Sequence, residues 1–492
     1  MKFLFTWSSS HPRKALALAV VFSLSLGSGA AFLRVDASME HLLSTEDARV
    51  QYLNEVRENF GEKPLILAVV RTPDLFAPET LLILKSCADE LSKIPGVADS
   101  SSLFNALLPK SRGRALVAEP ALPPLPASRE VLKDRQKTLL ENSLVRGNLL
   151  SETGNALAIL LFLEPEKGPN HEKILEQMKA VQFRILAQLP ASTEFDLLGV
   201  PLVKTEAQKH IHWDLEKLAP VSLLVIGLFI FLFYRSLTAV LLPLLTGVLS
   251  VIATLGFMGF AGYQISIFLS TIVVLILVLG CTEDLHILAE YLLGSEEGKD
   301  KLTAIQSIGA TAGTALVLTS ATTVLSFVTI AFTEIVGLRD FAVSCAFGMA
   351  VNFLITILVV PAMLSILPPP RVANLHGKRG FLARMEKLIV GLFLNHRKAV
   401  LIVLGAVLLV TGLGISKLET NTNYLRFFSP DSPVVAAYRR FSKDFGGASY
   451  VTVTVETNQR NGISRPENLK KLALLHDFLT RDSGKHWATS TS

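Results

Sequence analysis

The sequence predicts a membrane-embedded α-helical bundle of seven spans that carries an α+β domain outside the membrane. Half of the 492 residues are hydrophobic, and the mean hydropathy of +0.45 is above that of soluble enzymes. A charge-free run of about 17–25 residues is long enough to cross a bilayer. Such runs, with a shorter one at 219–234, predict spans at residues 15–33, 219–234, 239–261, 265–282, 308–332, 341–367 and 399–416.

The orientation in the membrane follows from the basic residues of the short loops. The loop 368–398 has a single acidic residue, Glu386, against a set of basic residues: Arg371, Lys378, Arg379, Arg384, Lys387, Arg397 and Lys398. Lys2, Arg13 and Lys14 precede the first apolar run. The positive-inside rule places both regions in the cytoplasm. The segments after the first and seventh spans are therefore expected outside.

This topology divides the chain into regions. Residues 1–33 form the cytoplasmic N-terminus and span one, 34–217 an outer α+β domain, 218–367 spans two to six, 368–398 a basic cytoplasmic loop, 399–416 span seven, and 417–492 the start of a second outer domain. In an alternative interpretation, the basic start, first apolar run and small residues at 27–31 form a cleavable signal peptide. The length of the run favours a retained span.

Several function classes find no support in the sequence. The odd set of cysteines, Cys87, Cys281 and Cys345, offers neither a disulfide framework nor metal-ligand spacing. No basic stripe with interleaved aromatic residues predicts a nucleic-acid partner. No HExxH, GxSxG or Walker-type motif predicts an enzyme or a cofactor. The net charge of +5 reflects the topology signals instead.

The outer segment between spans one and two alternates strand and helix patterns. Strands are predicted at 64–72, 97–104, 156–164 and 194–200, and helices at 78–93 and 170–189. A Pro-rich connector, 109–126, and a charged helix, 129–146, interrupt the series. Without them the order is β-α-β followed by β-α-β, which is the ferredoxin-like arrangement.

Short sequence segments recur after spans one and seven. Residues 35–43, 59–61 and 78–81 are followed in the same order by similar residues at 418–426, 444–446 and 466–469. A strand at 450–456 and a helix at 466–479 are predicted in the second copy. Duplicated halves are typical of transporters, although chance similarity between exposed helices is the alternative. The second copy stops after its first strand and helix.

Two acidic residues, Glu283 and Asp284, stand side by side within an apolar stretch from residue 265 to residue 293. Ionisable residues inside a membrane are costly and mark functional sites. Burial favours the neutral form of a carboxyl group, so a buried acid pair is suited to binding and releasing protons. Gly280, one turn earlier, permits close helix packing. In the alternative, the span ends at Thr282 and both acids lie among lipid headgroups.

His286 is the third residue of the predicted proton-coupling site, as a candidate relay or as a packing residue. The run 308–332 adds Gly309 and Gly313 in GxxxG spacing and a group of hydroxyl residues: Thr311, Thr314, Thr319, Ser320, Thr322 and Thr323. These hydroxyls form a candidate proton path, and ordinary interhelical packing is the alternative. Arg339 and Asp340, before the sixth span, are interpreted as a structural surface pair.

The chain resembles the resistance-nodulation-division (RND) superfamily, close to its "mycobacterial membrane protein large" (MMPL) and predicted-exporter branch, which also resembles Patched. The resemblance covers residues 15–492. Its motifs are Gly280, Glu283, Asp284 and His286; Leu318, Thr319, Ser320, Ala321, Thr322, Thr323 and Phe327; Gly337, Leu338, Arg339, Asp340 and Phe341; and Pro361 with Ala362. It implies an RND-type bundle with porter-like outer domains in the bacterial inner membrane.

The resemblance also implies export of hydrophobic or lipid-like molecules, driven by protons that the fourth-span carboxylates carry. Two departures bear on this. Leu285 stands where the family has a tyrosine, and the chain ends before the tenth span that normally completes the site. A second polypeptide or a second copy of the chain is therefore an expected partner, besides membrane lipids. The alternatives are a sterol-sensing-like lipid sensor and an inactive truncated remnant.

Overall fold

The computed structural model describes residues 2–36, 47–61, 63–112, 115–164, 171–368, 381–418, 424–447, 453–457 and 459–486. Within these ranges, seven helices are long and apolar enough to cross a membrane: Pro12–Phe32, Val200–Tyr234, Leu237–Phe260, Phe268–Glu296, Gly313–Ile330, Val336–Ile366 and Arg397–Ile415. They are called spans one to seven below. The predicted number and order of the spans are confirmed.

Two of the predicted span boundaries differ in an informative way. Span two is longer, because helix Val200–Trp213 continues through the π-helical turn Asp214–Leu218 into Ala219–Tyr234. Span five is shorter than the predicted 308–332. Helix Lys301–Thr311 ends before Ala312, and a second helix, Gly313–Ile330, begins after it. Apolar composition continues through Ala312, so hydropathy could not reveal the break.

Spans three, four and six form the centre of the bundle, with at least half of their most apolar stretches buried. Span one crosses span three where glycines allow backbone contact, since a Cβ on Gly29 would lie 2.2 Å from the Gly256 carbonyl oxygen. At the opposite end, helix Lys2–Ser10 packs against helix Lys301–Thr311. Lys301 Nζ donates there to the carbonyl oxygens of Ser365 and Leu367, at 2.8 and 2.7 Å, and caps span six.

The described strands are β1 (Arg34–Val35), β2 (Leu65–Arg71), β3 (Val97–Ser101), β4 (Leu107–Arg112), β5 (Ala115–Pro120), β6 (Ala156–Leu163), β7 (Glu194–Leu198) and β8 (Gln264–Ile265). Four of them form one sheet in the order β3-β6-β2-β7, and all neighbours are antiparallel. Helices Pro78–Ser92 and His171–Leu186 pack against each other and on the sheet. The six strands and helices predicted for this segment are confirmed, with shorter ends.

Other parts of the outer segment depart from the predictions. The predicted Pro-rich connector contains the β4–β5 hairpin, whose two free edges tolerate Pro109. Helix Arg129–Glu141 ends earlier than the predicted 129–146 and begins at the N-cap Ser128. A further helix, Ala48–Phe60, precedes β2. Short 3-10 turns occur at Ser28–Phe32, Tyr424–Phe427 and Gly462–Ser464.

The α+β domain is joined to the bundle at several points. Strands β1 and β8 pair in parallel, which links the end of span one to the hairpin between spans three and four. Met258, Leu269 and Cys345 lie in the same apolar cluster as the core of the α+β domain. This cluster defines the end of the bundle that carries the domain. Phe5, Leu242 and Leu364 belong to another cluster at the opposite end.

The region from residue 368 onward contains more helix than predicted. Helix Phe381–Asn395 lies in the region predicted as a basic loop, and span seven follows at Arg397. Helix Pro433–Phe445 packs on the α+β domain, and helix Pro466–His486 extends beyond the predicted 466–479. Residues 453–457 do not form the strand predicted over 450–456, of which 450–452 lie outside the described residues. The repeat segments 35–43 and 418–426 also lie largely outside them.

Candidate functional site

Glu283 and Asp284 lie in the middle of helix Ile272–Glu296, the main part of span four. The helix continues for three turns beyond them, because the residues that follow are mostly apolar. Glu283 is 3% exposed and Asp284 is 2% exposed. The helix therefore does not end at Thr282. The two acids lie inside the bundle.

The Glu283 carboxylate lies between spans five and six. Ser320 Oγ donates to its Oε1 at 2.6 Å, and Asn352 Nδ2 donates to its Oε2 at 3.3 Å. Ser320 and Asn352 are themselves buried. Each carboxylate oxygen of Glu283 thus accepts one hydrogen bond from a neutral donor.

The Asp284 carboxylate points to a different pair of spans, because adjacent helical positions are about 100° apart. Thr356 Oγ1 of span six donates to its Oδ1 at 2.8 Å. Thr246 Oγ1 of span three donates to its Oδ2. The Thr246 hydroxyl also lies 3.2 Å from the Leu242 carbonyl oxygen, a second acceptor for the same hydrogen. Thr246 can therefore bond to either the charged or the neutral form of Asp284.

Span six supplies one partner to each acid. Asn352 and Thr356 are four residues apart, so they lie about one turn apart on one side of the helix. Gly280 allows Asn352 to approach span four, since a Cβ at that position would lie 2.5 Å from Asn352 Oδ1. Asn352 Oδ1 accepts from Ser250 Oγ of span three at 3.0 Å. The network therefore joins four spans.

The site combines two acidic side chains with neutral hydrogen-bond donors. Within the described part of the chain, neither Glu283 nor Asp284 has a Lys, Arg or His within salt-bridge distance. Neutral donors stabilise a buried carboxylate less than an ion pair does. Holding two adjacent negative charges at this depth is costly, and a bound proton removes that cost.

The structure brings Glu283, Asp284, Gly280 and Ser320 together and places the other predicted residues elsewhere. His286 is exposed on another face of span four. The side chains of Thr319 and Thr322 are exposed and that of Thr323 is half-buried, and all three hydroxyls bond to backbone oxygens of their own helix. Thr319, Thr322 and Thr323 are therefore not part of the buried network that Ser320 joins.

The predicted GxxxG pair is divided by the break at Ala312. Gly309 packs against the N-terminal helix, where its Cβ would lie 3.0 Å from Lys2 Cα, and Gly313 begins span five. Arg339 and Asp340 lie in the first turns of span six, outside the acid network, and Arg339 is exposed.

The predictions missed the residues that hold the acids: Thr246, Ser250, Asn352 and Thr356. A signal for them exists in the sequence, because Thr246, Ser250 and Thr254 recur every four residues in one charge-free span, as do Asn352 and Thr356 in another. Among the described residues, no group of three or more His, Cys, Asp or Glu is placed to hold a metal ion.

The comparisons with known proteins agree with this architecture. The profile of the MMPL family matches residues 52–390, which is more than half of the chain and includes spans two to six. The chain is also 22% identical over 370 residues to a membrane protein of Methanocaldococcus jannaschii, an alignment that covers 73% of this chain and 92% of that protein. The chain is a multi-pass membrane protein and belongs to the MMPL family, within the RND superfamily.

Proposed function

We propose that the protein is a secondary transporter that exports hydrophobic or lipid-like molecules and is driven by protons bound at Glu283 and Asp284. Membership of the MMPL family indicates a membrane transporter rather than an enzyme. The observation that carries the proton-coupling proposal is the pair of adjacent buried carboxylates, whose hydrogen-bond partners among the described residues are neutral donors from spans three, five and six.

The coupling step requires no cofactor. An acid that binds a proton becomes neutral and loses its need for charge-stabilising donors. Thr246 then turns its hydrogen toward Leu242 or Pro243, whose carbonyl oxygens lie 3.2 and 3.1 Å away. The contact between spans three and four changes with the protonation state. Such a contact is a two-state element of the kind that alternating access needs.

The outer α+β segment is proposed to be a ferredoxin-like, porter-like domain outside the cytoplasmic membrane. The sheet order β3-β6-β2-β7, with a helix after β2 and another after β6, supports this interpretation. The basic residues at the opposite end, around Lys2 and Arg397, support a cytoplasmic N-terminus in a bacterial inner membrane. His286, exposed near the acids, stays a prediction as a relay.

A partner in the membrane is part of the proposal. Span seven has no buried residue. Helix Phe381–Asn395 contacts span seven, and the rest of the apolar surface of span seven is available to a second polypeptide or to a second copy of the chain. Native mass spectrometry of the detergent-solubilised protein tests this. A strictly monomeric species that still transports in liposomes contradicts it.

The coupling role is tested by replacing Asp284 with Asn, which has nearly the same shape and cannot titrate. Energised cells that express each variant are loaded with N-phenyl-1-naphthylamine, a hydrophobic fluorescent probe, and its efflux is followed. Glu290→Gln on the same span, outside the site, is the matched control. We expect efflux in the wild type and the control, and none with Asp284→Asn at equal abundance in the membrane.

Two outcomes oppose the proposal. Efflux by Asp284→Asn at the wild-type rate contradicts the proton-carrier role. Wild-type efflux that persists after a protonophore collapses the pH gradient contradicts proton coupling itself. A wild type that binds the probe at equilibrium without any gradient-dependent flux favours the sensor alternative.

A further inference from the structure

Polar residues continue from the acid pair along the contact between spans three and six. On span three, Thr246, Ser250 and Thr254 are spaced four residues apart and are at most 1% exposed. On span six, Ser344, Gly348, Asn352 and Thr356 have the same spacing. Rows of this spacing are the ridges that interdigitate when two helices pack. We call the two rows together the polar seam.

The two rows meet at more than one level. Ser250 Oγ donates to Asn352 Oδ1 at 3.0 Å. One turn further along, Gly348 faces Thr254, since a Cβ on Gly348 would lie 2.9 Å from Thr254 Oγ1. The hydroxyls of Ser250 and Thr254 also lie 2.7 Å from backbone oxygens of their own helix, those of Thr246 and Ser250 respectively. Their lone pairs therefore stay available to accept further hydrogen bonds.

Ser344 supplies an independent indication of a bound molecule in the seam. Its side chain is fully buried, and its hydroxyl has no hydrogen-bond partner among the residues that the structure describes. An unpaired buried hydroxyl is costly, and native proteins usually satisfy such a group with ordered water. Ser344 is eight residues from Asn352, or about 12 Å along the helix. The neighbouring Cys345 belongs to the cluster shared with the α+β domain.

The other side of the acid pair is lined by an apolar cluster. Beyond Asp284, toward the N-terminal helix, the interior is filled by fully or nearly fully buried apolar side chains and one tyrosine: Phe5, Leu242, Ile287, Leu288, Tyr291 and Val360. Polar side chains therefore extend from the acids as far as Ser344 on one side, and apolar side chains adjoin the acids on the other.

We propose that the polar seam is a hydrated path through which protons reach Glu283 and Asp284 from the end of the bundle that carries the α+β domain. The inference rests on the proposed function, because it takes the acids to be the proton-binding groups. A hydronium ion in the seam loses one O–H bond and leaves a neutral water, while a carboxylate oxygen gains the O–H bond and loses its charge. Release is the reverse step.

In this proposal Thr254 and Ser344 position water molecules. The proposal also specifies the side of the membrane with which the acids exchange protons in this conformation. The conformation described is the one in which the acids exchange protons with the α+β side. For exchange with the other side, the apolar cluster around Leu288 and Tyr291 has to open.

The first test measures hydration and does not depend on transport. Single cysteines are introduced by Thr254→Cys and Ser344→Cys in a variant whose three native cysteines are replaced by alanine. Leu288→Cys and Ile355→Cys are matched controls, since both side chains are at most 1% exposed and lie in apolar clusters. Methyl methanethiosulfonate, a small reagent for hydrated thiolates, is added to the protein in liposomes, and intact mass gives the modified fraction.

We expect modification at the two seam positions to be at least about tenfold faster than at the two controls, because only hydrated thiols form thiolate readily. Equal rates at all four positions contradict the hydrated path. Fast modification at the seam positions supports the hydrated path even if Asp284→Asn shows unimpaired efflux. Unimpaired efflux by Asp284→Asn overturns the proton-carrier role. The two proposals therefore fail separately.

The second test uses the protein with its native cysteines. Infrared spectra identify the carboxylic acid C=O band that is lost in Asp284→Asn or Glu283→Gln, and its shift after transfer to heavy water gives the exchange rate. Thr254→Val and Ser344→Ala should slow this exchange several-fold. Thr322→Val and Ser326→Ala, exposed hydroxyls on span five, should leave it unchanged. Unchanged exchange in both seam variants overturns the path.

Discussion

The Asn352 side chain occupies the space beside Gly280 in the acid network. A Cβ on Gly280 would lie 2.5 Å from Asn352 Oδ1, closer than two such atoms can approach. The missing side chain on span four lets the Asn352 amide reach Glu283 from span six. A glycine next to the acid pair is thus a condition for the hydrogen bond and not merely a site of close packing.

Gly280→Ala should destabilise the protein by about 1–3 kcal/mol, because the new methyl group displaces the Asn352 side chain. Asn352→Ala alone removes a donor to buried Glu283 and should cost about 1–3 kcal/mol. In the double variant the clash is gone, so the combined loss should be smaller than the sum of the two. Thermal unfolding in detergent measures all three variants. Additive losses would show that the two side chains do not interact.

The proposed position of the α+β domain outside the cytoplasmic membrane predicts a labelling pattern. Ser128 is exposed in that domain, whereas Cys87, Cys281 and Cys345 are buried. Ser128→Cys should therefore react with an impermeant maleimide in intact cells whose outer membrane has been permeabilised, over a low background from the wild type. The α+β domain lies in the cytoplasm if labelling occurs only after lysis.

The Cys87 thiol should react slowly with alkylating reagents in the folded α+β domain. Burial, with a smaller contribution from the charge of Glu90, raises the pKa of its thiol to about 12. Only the thiolate is nucleophilic, so the folded protein at pH 8 holds almost none of the reactive form, and this fraction grows as the pH rises toward 12. Iodoacetamide should modify Cys87 slowly at pH 8 and rapidly after unfolding. The exposed cysteine of Ser128→Cys is the positive control, and equal rates at the two sites in the folded protein contradict the prediction.

Arg440, in the segment after span seven, forms a hydrogen-bonded ion pair with the α+β domain. It donates to Asp196 Oδ2 and Oδ1 at 2.9 and 2.6 Å, and the hydrogen bond to Asp196 raises the pKa of Arg440. Arg71 makes a parallel contact, donating to Asp444 at 2.6 Å. Arg440→Leu leaves the buried Asp196 without its closest partner, a loss of about 1–3 kcal/mol.

Backbone hydrogen exchange in helix Pro433–Phe445 measures this loss. Protection should fall in Arg440→Leu. It should stay unchanged in Arg129→Leu, whose exposed ion pair with Asp74 lies away from that helix. Unaltered exchange in Arg440→Leu would show that the apolar contacts of Val434, Ala437 and Tyr438 hold the helix alone.

The sequence by itself determined the membrane architecture and the position of the acids. Span number follows from local composition, because an apolar run of sufficient length has few alternatives to crossing the bilayer. Strand and helix periods in 64–200 also predicted the elements of the α+β domain. Glu283 and Asp284 were conspicuous because charge is rare in such a stretch.

Only the tertiary structure decided which polar residues reach those acids. Thr319, Ser320 and Thr322 are all hydroxyl residues of the same apolar helix. The rotation of that helix about its axis directs Ser320 toward Glu283 and leaves Thr319 and Thr322 exposed. Thr246 and Thr356 are 38 and 72 residues from Asp284 in the chain, and no local pattern relates them to it. A hydroxyl in an apolar helix is satisfied by its own backbone, so composition does not distinguish a site residue from a lipid-facing one. Helix rotation and packing make that distinction, and both depend on the whole bundle.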